Sequence, residues 1–344
     1  MPVPEPSIRR YSLEPTIMII DVHAHVLQRE LLPKLGYERT GDDEYRLPGW
    51  QYGPLDKLVY DLDGRLQSLR DRGIALQLVG PPPRFMCNLG NDLSVERARL
   101  VNSGTAAMVA GSGGLLGGLA AISWADPARA ADELERAVGE HGFKGAIMGT
   151  SVNGKVLDSP EFQPIFAMMD KLRLVVFMHS TPGATNAALD DYTLRVLVGY
   201  PFEMSLAVSR LIFAGVLERH PNINLVLSHG GGTLPFLKGR LNRGYHAPHY
   251  EYNPDCHAHI TKPPGDYFQQ IFFDTCVLSP QSLRFLVQVV GVDRVVFGSD
   301  FPFEIGDADG KVGLQAINEM PQGDREKILG GNIARALATS GRAH

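Results

Sequence analysis

Two histidines one residue apart, His23 and His25, end the apolar, β-branched run Ile19-Ile20-Asp21-Val22. Successive side chains of a strand point to opposite faces, so residues two apart share one face and their imidazoles can converge on one ion. Metal binding is the chemistry such a pair offers, and it needs further donors to complete a site. Three candidates stand at the ends of short apolar runs farther along: His179 after 174–178, His229 after 224–228 and Asp300 just beyond 295–298. Imidazole nitrogen and carboxylate oxygen are donors that zinc accepts in an open catalytic site, and to a degree iron, manganese and cobalt.

The elements that must position these residues alternate along the chain. A first strand over 16–21 is followed by a polar, aromatic segment, 28–54, punctuated by Gly36, Gly41, Pro48 and Gly49. Its length without periodicity reads as a lid or binding loop. Helical spacing over 55–72 precedes a strand at 75–80, halted by Pro81-Pro82-Pro83. A helix capped by Asp92 or Ser94 runs to about 110, and Asp126-Pro127 opens another to about 141. Strands at 117–122, 144–148 and 174–178, a helix at 160–171, and a helical region at 192–219 broken near Gly199-Tyr200-Pro201 continue the alternation. The strand at 224–228, the helix at 234–243, the strand at 270–274, the helix opened by Ser279-Pro280 and the strand at 295–298 complete it. Eight short apolar strands alternating with helices predict a TIM-type (β/α)8 barrel, one domain over 1–344 with an insertion after strand one. Active groups of such barrels lie after the C-terminal ends of the strands, where His23, His25, His179, His229 and Asp300 all fall. The glycines at 111–114 follow a helix and open a strand, the reverse of a phosphate-cradling loop, so no nucleotide cofactor is expected.

Composition narrows the partner. The 344 residues are 44% hydrophobic and 21% charged, ordinary for a chain with a substantial core. A net charge of −5 without a basic block argues against nucleic acid or an anionic membrane and for a small molecule. Cys87, Cys256 and Cys276 are too few and scattered for a disulfide scaffold or a thiolate cluster, and fit a reducing cytoplasm. Residues 1–16 carry prolines and charges but no apolar export core, and no eighteen apolar residues run unbroken.

His23-x-His25, His179, Ser228-His229-Gly230-Gly231-Gly232 and Gly298-Ser299-Asp300-Phe301-Pro302-Phe303 together resemble the amidohydrolase superfamily, in its aminocarboxymuconate-semialdehyde decarboxylase branch. The stretch from Tyr200-Pro201-Phe202-Glu203 through Arg240 is similar to that branch in order and spacing. The resemblance implies His23, His25, His179 and Asp300 as ligands of one divalent ion, zinc first and manganese second. It implies His229 as acid/base and Arg240 as the carboxylate clamp of a small carboxylic acid, reaching into the neighbouring site of a homodimer. Phe301 and Glu203 are candidate substrate contacts. The strand ending Ile147-Met148-Gly149-Thr150 carries no terminal lysine of the kind that bridges two metals, so one ion is expected. Two departures concern the substrate: His179-Ser180-Thr181 stands where the branch has His-Pro-Trp, and its early-loop arginine falls near Gly53, with Arg46 close but unaligned.

The expected reaction is non-oxidative decarboxylation of an aromatic or unsaturated acid. Hydrolysis of an amide, lactone or cyclic carbonyl is the alternative, and a barrel that only binds a ligand or structural metal is a third reading. His257-Ala258-His259 lies in a polar loop after no strand and reads as surface. Asp274, ending strand seven, is a candidate outer partner of a metal-ligating histidine.

Overall fold

Strand β1 runs over Ile19–His25 with all seven residues buried, so the histidine pair closes the strand itself. The computed structural model describes residues 18–49, 53–83, 94–152, 154–181, 187–247 and 254–341. The expectations for 1–16 therefore lie outside the described residues. In chain order the later strands are β2 (Glu38–Gly41), β3 (Glu44–Arg46), β4 (Ile74–Gly80), β5 (Leu116–Ala121), β6 (Gly145–Met148), β7 (Val175–Met178), β8 (Asn224–Leu227), β9 (Ile271–Asp274) and β10 (Val295–Val296).

Eight of the ten described strands form one parallel sheet in the order β1-β4-β5-β6-β7-β8-β9-β10. The ring closes between its ends, where Val22 N–H donates to Phe297 O and His25 N–H to Phe301 O, each at 2.9 Å. This is the (β/α)8 barrel that the alternation predicts. Alternate residues sort into two cores. Val176 and Met178 of β7 join helix residues such as Leu134, Phe166 and Met169 outside the barrel. Val175 and Phe177 join Val22, Leu78, Ile147, Val226 and Phe272, which fill the barrel's interior. Phe177 tops that interior, its ring 4.7 Å from that of His23, and so forms the floor of the polar site above.

Capping places several helices where the sequence puts them. Ser94, Asp126 and Ser279 accept hydrogen bonds from backbone N–H groups opening Val95–Ala110, Pro127–His141 and Pro280–Val290. The helix expected over 55–72 is shorter. A 3-10 turn occupies Lys57–Val59, and the α-helix Leu62–Asp71 begins only after Asp61, whose carboxylate caps Gly64 N–H. The segment expected to lack regular structure contains 3-10 turns and the antiparallel hairpin β2–β3. The broken region at 192–219 is a π-helical turn at Arg195–Gly199 leading into Tyr200–Phe213, then Val216–Arg219. By length and composition the run Arg195–Phe213 is apolar enough to cross a membrane, although Glu203 and Arg210 interrupt it. It buries Met204, Val208, Leu211 and Ile212 against the barrel and exposes Leu197, Val198, Phe202 and Leu206.

Candidate active site

At the C-terminal end of the barrel, His23 and His25 from β1, His179 after β7 and Asp300 after β10 bring their ligand atoms within 4.8 Å of one another. Each imidazole is held through Nδ1. His23 Nδ1 lies 2.7 Å from Asp274 Oδ2, His25 Nδ1 is 3.2 Å from Pro81 O, and His179 Nδ1 is 2.7 Å from Ser180 O. An acceptor on Nδ1 selects the tautomer whose Nε2 lone pair is free to bind a metal. The three Nε2 atoms surround Asp300 Oδ1 at 3.0, 3.2 and 3.9 Å. Nε2 of His23 and of His179 are buried without a hydrogen bond of acceptable geometry. Burying unpaired polar atoms is costly, and a cation at their focus resolves the cost. Three imidazole nitrogens and one carboxylate oxygen fit a divalent ion of the zinc or manganese kind.

The supports are specific. Asp21 accepts from His23 N–H at 3.2 Å, from Ser299 N–H at 3.1 Å, from Ser299 Oγ at 2.6 Å and from Gln77 Nε2 at 2.8 Å. It thereby ties β1 to the turn that carries Asp300. The fully buried Arg65 donates to Gln77 Oε1, to Leu58 O and to His25 O, extending the strut beneath the histidine pair. Gly298 permits the close approach of β10 to this corner, since a Cβ there would stand 2.9 Å from Asp274 Cβ and 3.0 Å from His23 Cβ. His229 and Asp300 both adopt left-handed backbone, φ 53° and 58°. Non-glycine residues in that region are strained by about 1–3 kcal/mol and cluster at functional sites.

His229 stands apart from the set. Its Nε2 is 3.5 Å from Asp300 Oδ2, its Nδ1 is 3.0 Å from Ser228 Oγ, and its side chain is 20% exposed to the cleft. A cleft of about 1530 Å³ opens over the centre, walled by Leu47, Phe236, Leu278, Phe285 and Phe303 among others. Asp43 and Glu44 at the tip of the hairpin β2–β3 line its mouth.

Several sequence expectations need correction or addition. Phe301 is not a cleft residue: it is buried, and the guanidiniums of Arg65 and Arg72 lie over its ring at 4.7 and 4.3 Å. Of the two phenylalanines in this turn, the one that lines the cleft is Phe303, whose ring lies 5.3 Å from that of His25. Glu203 is half-buried on Tyr200–Phe213, where burial raises its pKa, and is not among the cleft-lining side chains. Arg240 is exposed on the helix Leu234–His246 and does not line its own chain's cleft. His257 and His259 are exposed, as a surface reading requires. Cys276, read in the sequence only as one of three scattered cysteines, lines the cleft two residues beyond Asp274.

Electrostatics follow from the geometry. Burial disfavours a charged His23, but the negative charges of Asp300 and Asp274 and the hydrogen bond to Asp274 outweigh it and raise its pKa to about 10. Burial dominates for His25, which is lowered, and for His179, lowered to about 3. Burial opposes ionisation of Asp300 too, yet the charge of His23 and the surrounding imidazoles hold it well below the usual carboxylate range. In metal-free protein at neutral pH, His23 is thus the charged imidazole, and His25 and His179 are already neutral. Loading one ion displaces the His23 proton, so uptake should release about one proton per ion. The apparent affinity should rise about tenfold per pH unit from neutrality until pH nears the His23 pKa. Isothermal titration in buffers of different ionisation enthalpy reads the proton directly; release of none at pH 7 would contradict this charge assignment.

Comparison with known proteins gives the family. Residues 20–338 match the amidohydrolase family model. The chain belongs to the amidohydrolase family. This amidohydrolase is 30% identical over 332 residues to the 2-amino-3-carboxymuconate-6-semialdehyde decarboxylase of Dictyostelium discoideum, covering 92% of this chain and 91% of that one. It is 26% identical over 328 residues to the gamma-resorcylate decarboxylase of Rhizobium radiobacter, covering 89% and 96%. Its fold matches the dihydroxybenzoic acid decarboxylase of Polaromonas sp., solved with bound manganese and the inhibitor 2-nitroresorcinol, at a TM-score of 0.75 and 21% identity, covering 94% and 97%.

Proposed function

We propose that this amidohydrolase is a metal-dependent, non-oxidative decarboxylase of a small aromatic or unsaturated carboxylic acid. The observation that carries the reading is the division of labour among four histidines: three are locked by Nδ1 acceptors around Asp300, while His229 stays outside them, exposed to the cleft. The names of the relatives point to the same reaction.

His23, His25, His179 and Asp300 hold one divalent ion. A bound ion of this kind supplies Lewis acidity at an oxygen of the substrate. His229 delivers the proton: the bond to the carboxylate breaks, carbon dioxide leaves, and the carbon that keeps the electron pair ends bonded to hydrogen. The apolar walls favour the neutral product over the charged substrate. The hairpin β2–β3 serves as the lid. Zinc is the ion we favour on the all-nitrogen-and-oxygen set, with manganese as the competitor. The reading is tested by screening hydroxybenzoates, picolinates and muconates for carbon dioxide with metal-loaded and chelator-treated enzyme. Metal-dependent release from at least one of them is expected; hydrolysis products without carbon dioxide would overturn it.

The working unit we propose is a cytoplasmic homodimer. Among the described cleft-lining residues Lys57 is the sole lysine or arginine, and it is already 3.4 Å from Asp43. Apart from the ion itself, a carboxylate substrate therefore meets no unpaired lysine or arginine in its own chain's described cleft. Arg240 is exposed one helical turn from Phe236, which is 78% exposed, and both Phe236 and the exposed Leu197 line the cleft. A second copy covering this face would carry its own arginine toward the site. Arg240→Ala is expected to cost about 10–100-fold in kcat/KM, the worth of a charged hydrogen bond. Mixed with inactive His229→Ala protein, it should regain activity, because one site of each hybrid keeps its own His229 and the other chain's Arg240. Hybrids no more active than their components would show that Arg240 does not act across the interface, and an Arg240→Ala protein of unchanged kcat/KM would place it outside the reaction.

A further inference from the structure

Cys276, Asp300 Oδ2 and His229 Nε2 share one wall of the cleft, and the metal centre described above uses none of these three atoms. The donors of His229, Cys276 and Asp300 lie within 4.8 Å of one another. The carboxylate of Asp300 faces two ways: Oδ1 is 3.0 and 3.2 Å from His23 and His25 Nε2, while Oδ2 is 3.5 Å from His229 Nε2. His229 Nδ1 faces Ser228 Oγ at 3.0 Å, which leaves Nε2 for this wall. One carboxylate also fixes the other two donors together. Asp274 Oδ1 accepts from Gly230 N–H at 2.8 Å and from Cys276 N–H at 3.1 Å, binding the turn of His229 to the turn of Cys276.

We propose that His229, Cys276 and Asp300 form a second cation site for a thiophilic divalent ion, with Asp300 bridging it to the first, and that filling it switches the enzyme off. The donor set of sulfur, nitrogen and oxygen selects zinc or cadmium over magnesium or calcium, because soft thiolate prefers soft ions. Binding transfers the Cys276 thiol proton to solvent, one per ion, with no change of oxidation state. The second ion engages His229 Nε2 and so removes the group that moves the proton. His229 is partly exposed and Cys276, though buried, lines the same cleft, so an ion would reach the site by the substrate's own route.

The loss of turnover rests on the decarboxylase reading; the ion count and thiolate signal do not. Enzyme loaded with one manganese or zinc ion per chain is titrated with cadmium while the ultraviolet thiolate-to-cadmium charge-transfer band, bound metal and carbon dioxide release are followed. A second ion per chain, appearance of the band and loss of turnover are expected, with turnover restored when a chelator strips the second ion alone. Cys276→Ala, with Cys276→Ser as the variant that conserves volume, should hold one ion, show no band and resist cadmium. A single bound ion without the band, or a band that persists in both variants, would overturn the proposal. Failure of the first ion to bind would instead overturn the metal-centre reading itself.

Discussion

His229→Ala protein is expected to keep one tightly bound metal ion per chain and to lose turnover, with kcat lowered by roughly 10²–10⁴-fold, the usual worth of a positioned proton-transfer group. The reason is geometric. His229 approaches Asp300 through Oδ2, whereas the other three imidazoles gather on Oδ1, so its removal takes nothing from the ion's four donors. The side chain is partly exposed in the cleft, so truncation leaves space that water can fill rather than a dry cavity. Metal analysis and steady-state kinetics on the same sample decide it. Metal-free His229→Ala protein would make this histidine a ligand, and near-normal kcat would remove it from the chemistry.

Asp300→Ala should have the opposite signature: the ion itself is lost. Changing an outer partner of a ligand costs about 10–100-fold in metal affinity. Asp300 is the common neighbour of all four histidines, and its removal should exceed that range. The variant also removes one of the two carboxylates that raise the His23 pKa and leaves Asp274, so that pKa should fall from about 10. In metal-free protein, a His23 pKa raised above the unfolded value contributes stability that is fully present below about pH 6.5 and is lost as pH rises through about 10. Metal-free Asp300→Ala should therefore show less of this alkaline loss than metal-free parent protein. Denaturation midpoints across that pH range read the effect alongside equilibrium metal binding, and unchanged metal affinity would remove Asp300 from the ligand set.

What was legible in the sequence was what depends on local pattern. The strand period of two put His23 and His25 on one face, and alternation of apolar runs with capped helices placed His179, His229 and Asp300 at strand ends. Ser94, Asp126 and Ser279 marked helix starts because a cap acts within three residues of itself. What stayed hidden depends on distance in the chain. Asp274 was nameable as an outer partner from its place at a strand end, but not which histidine, 251 residues away, it would hold, and Pro81 O, 56 residues from His25, was not nameable at all. A backbone carbonyl carries no side-chain signal at all. Phe301 and Phe303 are indistinguishable as types; the turn after β10 decides that one lies under two arginines and the other faces the cleft. The hairpin β2–β3 escaped because its strands are mostly exposed and show no alternation of apolar and polar residues.

The central claim is that the bond broken is the one to a carboxylate, with His229 supplying the proton. It is tested most directly by running metal-loaded enzyme on an active acid in oxygen-18 water and, separately, in deuterium oxide, with mass analysis of gas and product. Decarboxylation should release one carbon dioxide per product, put one deuterium on the carbon that lost the carboxylate, and leave no oxygen-18 in the organic product. A product that gains oxygen-18 and releases no carbon dioxide would contradict it and assign the site to hydrolysis.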